Sequence, residues 1–279
     1  MSARDQLQSH ELHDADYHGH HAVSFSQLQR CGLWTEDGLQ WTPHLYPIPQ
    51  ETTDAMDRGT LTHASHYEPG KYAEMYAIRP VTKSGKLVAN NTAEFGAWEL
   101  ENEGKIHISP SEHEKITSMI GVISGSSMLQ RYRDKYELIS TETAYSCVEP
   151  STCLELRIKP DELRLTASGR LICGDLKTTK CKNPHEFQRE CEVYKFAYYR
   201  RYAFYRRVLS IITGEAMEDI RVAMICVTNT EPHICYLAEL REDKLNEGDM
   251  QNRDAMRELA RCIETGVFMP NWMKDAVII

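Results

Sequence analysis

The sequence predicts an α/β fold with a mixed central sheet flanked by helices, and three observations carry that prediction. Residues 154–179 contain two strand-like arms separated by a Ser-Gly turn signal. Residues 185–214 then carry apolar side chains at helical spacing, which predicts one long helix. Two further apolar runs, 221–228 and 233–240, predict sheet strands, and residues 244–265 predict a final amphipathic helix.

The two arms of the first segment bring charged side chains together. Leucines and an isoleucine alternate with charged residues over 154–159, and Pro160 ends this arm because proline cannot donate to a sheet. In the second arm, Asp175 and Lys177 point to the same face because side chains alternate along a strand. If the two arms pair as a hairpin, Asp161 approaches Asp175. The result is two carboxylates and an ammonium at the open end of a sheet.

This grouping suits phosphodiester hydrolysis. Carboxylate oxygens are the ligands that hard divalent cations prefer, and a bound cation activates water. Lys177 would offset the negative charge that develops on the phosphate. The alternative is an ordinary solvated face, because charged residues are common on hairpins.

The motif resembles a known nuclease signature. Residues 160–161, Pro-Asp, and residues 174–179, Gly-Asp-Leu-Lys-Thr-Thr, resemble the PD-(D/E)xK signature, and the final Thr-Thr resembles its RecB and RecE branch. The resemblance implies Mg²⁺ as the cofactor, with Mn²⁺ as a substitute. The catalytic and metal-binding set that it implies comprises Asp161, Asp175, the backbone carbonyl of Leu176, and Lys177 as the residue that assists the attacking water.

The amino-acid composition favours a globular protein and excludes several other classes of protein. The chain is 41% hydrophobic and 26% charged, as in soluble globular proteins, and it lacks an apolar leader or membrane segment, so we expect a cytoplasmic protein without membrane association. Its nine cysteines include no C-x-x-C pair, which disfavours zinc ribbons, disulfide scaffolds and the iron-sulphur nucleases. The net charge of −9 requires a local basic groove if the ligand is DNA.

The N-terminal half offers further candidates. Residues 1–50 are polar and histidine-rich and predict an arm with one short helix near 24–31; for the histidines, a solvated or packing role is favoured over metal binding. The pattern Tyr17-His18 followed by Ser24-Phe25-Ser26 and Leu28 resembles the entry segment of RecE-type exonucleases. A helix over 55–67 contains Gly59-Thr60-Leu61-Thr62-His63, which resembles the G-xxx-H motif in which the histidine binds metal. His66 is the rival histidine.

The middle of the chain is less informative. Residues 72–80 predict a strand, and a helix over 112–133 is expected to open with a capping box, Ser111 and Glu114. Residues 138–148 predict one strand. Glu142 lies where related exonucleases carry an acid near the metal, but Glu137 and Glu149 are competing candidates and a surface carboxylate is at least as good an interpretation.

The long helix supplies the candidate DNA contacts. Four arginines occur within eight residues of 200–207, without interleaved acids, which indicates a polyanion-binding face. RecB-like nucleases carry a Q-xxx-Y motif here; Tyr205 matches the tyrosine, whereas Arg201 stands in place of the glutamine. The DNA-binding candidates are Arg200, Arg201, Tyr205 and Thr178.

Together these motifs resemble a RecE-type, exonuclease VIII-like enzyme of the RecB-like nucleases, encoded by a phage or prophage. The implied fold is the restriction-endonuclease-like PD-(D/E)xK core with an elaborated N-terminal half. The implied activity is processive 5′→3′ digestion of double-stranded DNA ends by a homo-oligomer that passes single strands to an annealing protein. Alternatives are a site-specific endonuclease, a helicase-associated repair nuclease, and a catalytically silent DNA-binding module. The expected layout is a single nuclease domain, 1–279, divided into an arm (1–50), a helical elaboration (68–136), a catalytic sheet with the long helix (138–240), and a C-terminal helix and tail (241–279).

Overall fold

A computed structural model describes residues 3–13, 17, 19–30, 54–192 and 197–266. The N-terminal elements are α1 (Ala3–Gln8), β1 (Glu11–Leu12), α2 (Phe25–Arg30), α3 (Asp54–Tyr67), α4 (Pro69–Met75), β2 (Tyr76–Ile78), α5 (Ala93–Glu101), β3 (Ile106–Ile108), α6 (Pro110–Ser124) and α7 (Ser127–Lys135). The remaining elements are β4 (Glu137–Thr141), β5 (Ala144–Val148), β6 (Glu155–Ile158), β7 (Glu162–Leu165), β8 (Leu171–Thr179), α8 (Pro184–Glu192), α9 (Tyr198–Thr213), β9 (Arg221–Thr228), β10 (Cys235–Glu239) and α10 (Glu242–Thr265). Among these described helices, none combines the length and hydropathy needed to cross a bilayer.

The central sheet is mixed, as predicted. Within the described residues its strand order is β10-β9-β8-β7-β4, and β8 and β9 run parallel while the other neighbours are antiparallel. One face packs against α3, α6 and α7, and the other packs against α9 and α10. Strand β8 has buried neighbours on both faces, which explains its nearly continuous apolar sequence. A second sheet, β1-β5-β6, extends the α9 side.

The hairpin that contains the motif is shorter than predicted. Strand β8 pairs with β7, whereas residues 155–158 form β6 and pair with β5 in the second sheet. The prediction that the arm over 154–159 is the partner of β8 is therefore wrong. Pro160 accounts for the difference, because it ends β6 and lets the chain cross to the central sheet before β7 begins. The turn at 168–169 is confirmed, with Gly169 at φ +81°.

An open edge of β8 positions the site. Strand β7 begins at Glu162, opposite Gly174, but β8 continues to Thr179, so its last five residues have a strand neighbour on the β9 side only. The Leu176 amide on the open side donates instead to Oδ2 of Asp161, at 2.7 Å. Because the amide and carbonyl of one strand residue point to the same side, the Leu176 carbonyl faces this edge as well.

The described N-terminal residues are part of the fold rather than an arm. Leu7, Phe25 and Leu28 are buried in the core that α9 covers, and β1 pairs with β5. Helix α2 confirms the short helix predicted near 24–31. Apolar side chains in an otherwise polar segment are buried here because they cover one side of the second sheet. The rest of the predicted arm, residues 31–50, lies outside the described residues.

The segment between α3 and β4 differs from the predictions. Tyr72 belongs to α4, because Pro69 starts a helix there, and only residues 76–78 form a strand. The predicted helix over 112–133 is two helices, α6 and α7, and the hydroxyl of Ser126 caps the second one. Helix α6 is capped by Ser109 rather than by Ser111. Helix α5 and strand β3 had no clear signal in the sequence.

The C-terminal half follows the sequence more closely. The helix predicted over 185–214 is interrupted at Ala197, which has a left-handed backbone with φ +47°; residues 193–196 lie outside the described residues. Asn183 caps α8, with Pro184 at its first position, as predicted. Strands β9 and β10 and helix α10 are confirmed, and α10 ends at Gly266 with φ +67°.

Candidate active site

A histidine and two carboxylates meet at the open edge of β8. Helix α3 passes over this edge and places Nε2 of His63 3.0 Å from Oδ2 of Asp161 and 3.0 Å from Oε1 of Glu142. The ligand atoms of these three residues lie within 4.8 Å of one another. Gly59, one turn before His63, brings the helix close, since a Cβ there would lie 3.5 Å from Oγ1 of Thr178.

Glu142 reaches the site through a break in the strand predicted over 138–148. The backbone at Glu142 is left-handed, with φ +51°, and it separates β4 from β5. Its amide donates to the Asp161 carbonyl at 3.1 Å, which fixes the turn against the loop that carries the aspartate. A left-handed non-glycine residue is uncommon and strained, so this backbone is typical of a functional position. The structure thus brings Glu142 together with the other site residues.

Asp175 and Lys177 lie on the face of β8 that packs against α9. Their side chains point to the same face, as the strand alternation predicted; they form an ion pair there, and both are largely shielded from solvent. Burial and the charge of Asp161 raise the pKa of Asp175, against the opposing effect of Lys177. Burial lowers the pKa of Lys177, but Asp175 and Asp161 outweigh this effect and raise it. The lysine is therefore a cation in this site.

The two histidines of α3 have opposite environments. Burial lowers the pKa of His63, but Asp161 and Glu142 outweigh this effect and raise the pKa to about 10. Burial, together with the charges of Arg133 and His63, lowers the pKa of His66 to about 4. Nη2 of Arg133 lies 2.6 Å from Nε2 of His66, so His66 faces away from the carboxylates. Of these two histidines, His63 is the one that lies among the carboxylates and could bind a metal ion.

The residues at this edge fit a divalent metal ion. Oε1 of Glu142 and Oδ2 of Asp175 are buried carboxylate oxygens that, among the described residues, meet the cationic side chains of His63 and Lys177 as ion pairs. Asp175 lies outside the cluster of His63, Glu142 and Asp161 but borders it, since the charge of Asp161 raises the pKa of Asp175. Carboxylate oxygens with one imidazole suit Mg²⁺ or Mn²⁺.

A second histidine group does not make an equivalent site. His20 and His21 stack near the Glu155 carboxylate, and His21 forms an ion pair with it. Nδ1 of His20 accepts a hydrogen bond from the Ala22 amide, which leaves only Nε2 of this ring for an ion. Glu155 is the single carboxylate of this group, whereas Glu142, Asp161 and Asp175 meet at the edge of β8, so the group offers a divalent cation fewer oxygen ligands. The packing role favoured from the sequence stays a prediction.

The side chains of the DNA-binding candidates on α9 point in two different directions, toward the site and toward α10. Arg201 lies near the site: burial lowers the pKa of its guanidinium, but Tyr202, Tyr205 and Asp175 outweigh this effect and raise it. The hydroxyl of Tyr205 donates to the Lys159 carbonyl at 3.3 Å. Arg200 points elsewhere, because its Nε donates to Oδ1 of Asn252 on α10. Successive helix residues do not share a face, so Arg200 and Arg201 cannot both line the site.

The predicted basic face of α9 is largely structural. Arg206 is only 1% exposed and pairs with Glu242, and Arg207 pairs with Asp249 and Glu149. The sequence has no acids within this part of α9, but α10 and the 149–153 turn supply them. The expectation that all four arginines face a polyanion is wrong. Thr178, the fourth DNA-binding candidate, faces α3 on the side opposite Lys177, so its contact with DNA stays a prediction.

The structure also identifies residues that the sequence did not indicate. Lys159 lies with its Nζ 3.4 Å from Oε2 of Glu142. Beneath the site, buried Glu162 pairs with buried Arg164, and the Glu162 side chain occupies the space that a Cβ on Gly174 would need. The sequence held a possible signal for Lys159, because it lies two residues before Asp161 of the motif. The Glu162–Arg164 pair and its contact with Gly174 depend on pairing between strands, which the sequence alone does not give.

Comparisons with known proteins agree with this fold. Residues 25–271 match the family model described as a PDDEXK-like domain of unknown function, DUF3799. The crystal structure of a "putative exonuclease" from Eubacterium rectale matches with a TM-score of 0.58 and 12% sequence identity, over 96% of this chain and 94% of that chain. At this identity the likeness shows the fold alone. No curated protein sequence matches significantly. The chain therefore belongs to the PDDEXK-like family DUF3799, and its fold and its cluster of acids and lysine support nuclease activity.

Proposed function

We propose that the protein is a Mg²⁺-dependent deoxyribonuclease that digests linear double-stranded DNA from its ends, in the 5′→3′ direction. The observation that carries the proposal is the convergence of His63, Glu142 and Asp161 beside the Asp175 and Lys177 pair. Three carboxylates and a histidine provide ligands for a divalent cation, and the lysine provides a fixed positive charge. This combination serves phosphodiester hydrolysis and has no evident use in a module that only binds DNA.

The residues of the site have separate roles in the proposed reaction. His63, Glu142, Asp161 and Asp175 would hold the metal, which when bound would supply Lewis acidity and lower the pKa of water. Asp161 is held by the Leu176 amide, so its carboxylate keeps one orientation. Nζ of Lys177 lies beside Asp175 and 3.5 Å from the Leu176 carbonyl, where it orients the attacking water and offsets charge on the phosphate. Arg201, on the same side as Asp175, holds a neighbouring phosphate.

Exonuclease action, its direction and its partners rest on the resemblance to RecE-type enzymes. The Thr-Thr after Lys177 and the G-xxx-H motif that ends at His63 support that resemblance. The proposal accordingly includes a homo-oligomer that encloses the duplex and an annealing protein that takes up the 3′ single strands. A site-specific or helicase-associated nuclease would use the same ligands on a different substrate.

Digestion of end-labelled duplex in Mg²⁺ tests the proposal. We expect linear DNA to be degraded, covalently closed DNA to be spared, and a 5′ label to be released before a 3′ label. Lys177→Ala should lose about two to three decades of rate, the effect of removing one charge-stabilising group. Lys182→Ala, which changes an exposed lysine beyond β8, should retain activity. Activity that persists in EDTA or in Lys177→Ala would refute the assignment, and cleavage of closed circles would favour an endonuclease.

A further inference from the structure

Lys159 occupies a rigid position at the rim of the site. Strand β6 ends at Ile158, and Pro160 restricts the backbone of the residue before it to extended conformations. The Tyr205 hydroxyl, on α9, donates to the Lys159 carbonyl and anchors it from the other side. The backbone from which the Lys159 side chain extends is thus held in place, two residues before Asp161.

The ammonium of Lys159 currently contacts a candidate metal ligand. Its Nζ lies 3.4 Å from Oε2 of Glu142, and the other oxygen of that carboxylate lies 3.0 Å from His63. The two side chains retain 18% and 14% exposure, respectively, so solvent and solutes reach the pair. Lys177 contacts Asp175 in the same way. Each lysine therefore neutralises a carboxylate that would face a bound cation.

Metal binding would change the anion with which the Lys159 ammonium pairs. A divalent cation held by Glu142 would neutralise the carboxylate in place of Lys159, and it would repel the ammonium because two cations near one carboxylate repel each other. The nearest new anion is the DNA backbone, if the proposed function is correct. We propose that Lys159 is a DNA-binding residue, released from Glu142 by the metal to contact the phosphodiester adjacent to the one that is cleaved.

A purely structural role for Lys159 gives the opposite expectation for metal affinity. If the lysine served only to hold Glu142 in its left-handed turn, removal of its charge would misplace a ligand and weaken metal binding. If it competes with the metal for the carboxylate, removal of its charge leaves metal affinity unchanged or strengthens it, by up to about tenfold for a partly exposed ion pair. Metal affinity measured without DNA therefore separates the two roles.

The test uses Lys159→Gln, with Lys159→Met as a second neutral variant in case the first does not fold. Lys244→Gln is the matched control, because Lys244 forms an ion pair with Glu247 on α10, outside the site. Calorimetric titration with Ca²⁺ alone measures metal affinity. Binding of linear duplex in Ca²⁺ at several salt concentrations measures the phosphate contact.

We expect the neutral variants to bind Ca²⁺ no more weakly than wild type, and the slope of log affinity against log salt to fall by about 0.9, as for one lost phosphate contact. Lys159→Arg should preserve the slope, and Lys244→Gln should match wild type in both measurements. An unchanged slope, or Ca²⁺ affinity that falls in step with DNA affinity, overturns the inference while the proposed function stands. Wild-type protein that binds no duplex in Ca²⁺ overturns both.

Discussion

Metal binding should compete with a proton on His63. In the metal-free site Asp161 and Glu142 raise the pKa of this histidine to about 10, and a metal ligand must be deprotonated. At pH 7, about three units below this pKa, His63 must lose its proton before it can bind the metal. This cost weakens the metal affinity by about a thousandfold, or about 4 kcal/mol, relative to the deprotonated site. Apparent affinity should rise about tenfold per pH unit below pH 10, and thus about a hundredfold between pH 6.5 and 8.5.

Calorimetry with Mn²⁺ measures this linkage directly. Titrations in two buffers of different ionisation enthalpy give the number of protons released, which should be close to one per metal ion at pH 7. In His63→Gln the proton release and most of the pH dependence should disappear, so the deficit in affinity relative to wild type should grow as the pH rises.

His66→Gln is the matched control on the same helix. Because the pKa of His66 is about 4, its imidazole is already neutral at pH 7 and has no proton to release. Metal affinity and its pH dependence should therefore match wild type. A flat pH profile in wild-type protein, or loss of the slope in His66→Gln rather than in His63→Gln, would refute the assignment of His63 as the ligand.

Three further predictions concern DNA affinity, packing and pH. Arg201→Gln should reduce the slope of log affinity against log salt, measured for duplex DNA in Ca²⁺, by about one unit. Arg200→Gln should leave this slope unchanged, because the Arg200 side chain contacts α10. Equal slopes in wild type and Arg201→Gln would refute the proposed phosphate contact. Gly174→Ala should lower the free energy of unfolding by about 1–3 kcal/mol, because its Cβ would overlap a buried glutamate side chain, whereas Gly121→Ala, in open space within α6, should be neutral or stabilising in the same denaturant titration. A stable Gly174→Ala would show that the layer beneath the site can adjust. His66 has a pKa of about 4 when folded and about 6.5 when unfolded, so its contribution to stability is complete above pH 6.5 and is lost as the pH falls to 4. Urea midpoints of His66→Gln should accordingly fall less than those of wild type over this range, and identical pH profiles would contradict the buried, neutral state.

Local patterns of the sequence determined much of the site. The two-residue spacing of Asp175 and Lys177 placed both on one face of β8, because side chains alternate along any strand whatever its partner. The four-residue spacing from Gly59 to His63 similarly placed a small residue and a candidate metal ligand on one side of α3. Caps and turns that depend on one residue, such as Asn183 and Gly169, were also predictable. Each of these follows from chain geometry over a few residues.

The tertiary structure decided which segments meet. Residues 155–158 and 162–165 have the same alternating pattern, and only the position of Pro160 within the assembled sheets makes the second segment the partner of β8. The place of Glu142 in the cluster depends on a left-handed turn stabilised by the backbone of Asp161. The arginines of α9 looked unpaired because their acids come from distant parts of the chain. Strand pairing and ion pairing are contacts between residues far apart in sequence, and their free energies depend on burial and distances that exist only once the chain has folded.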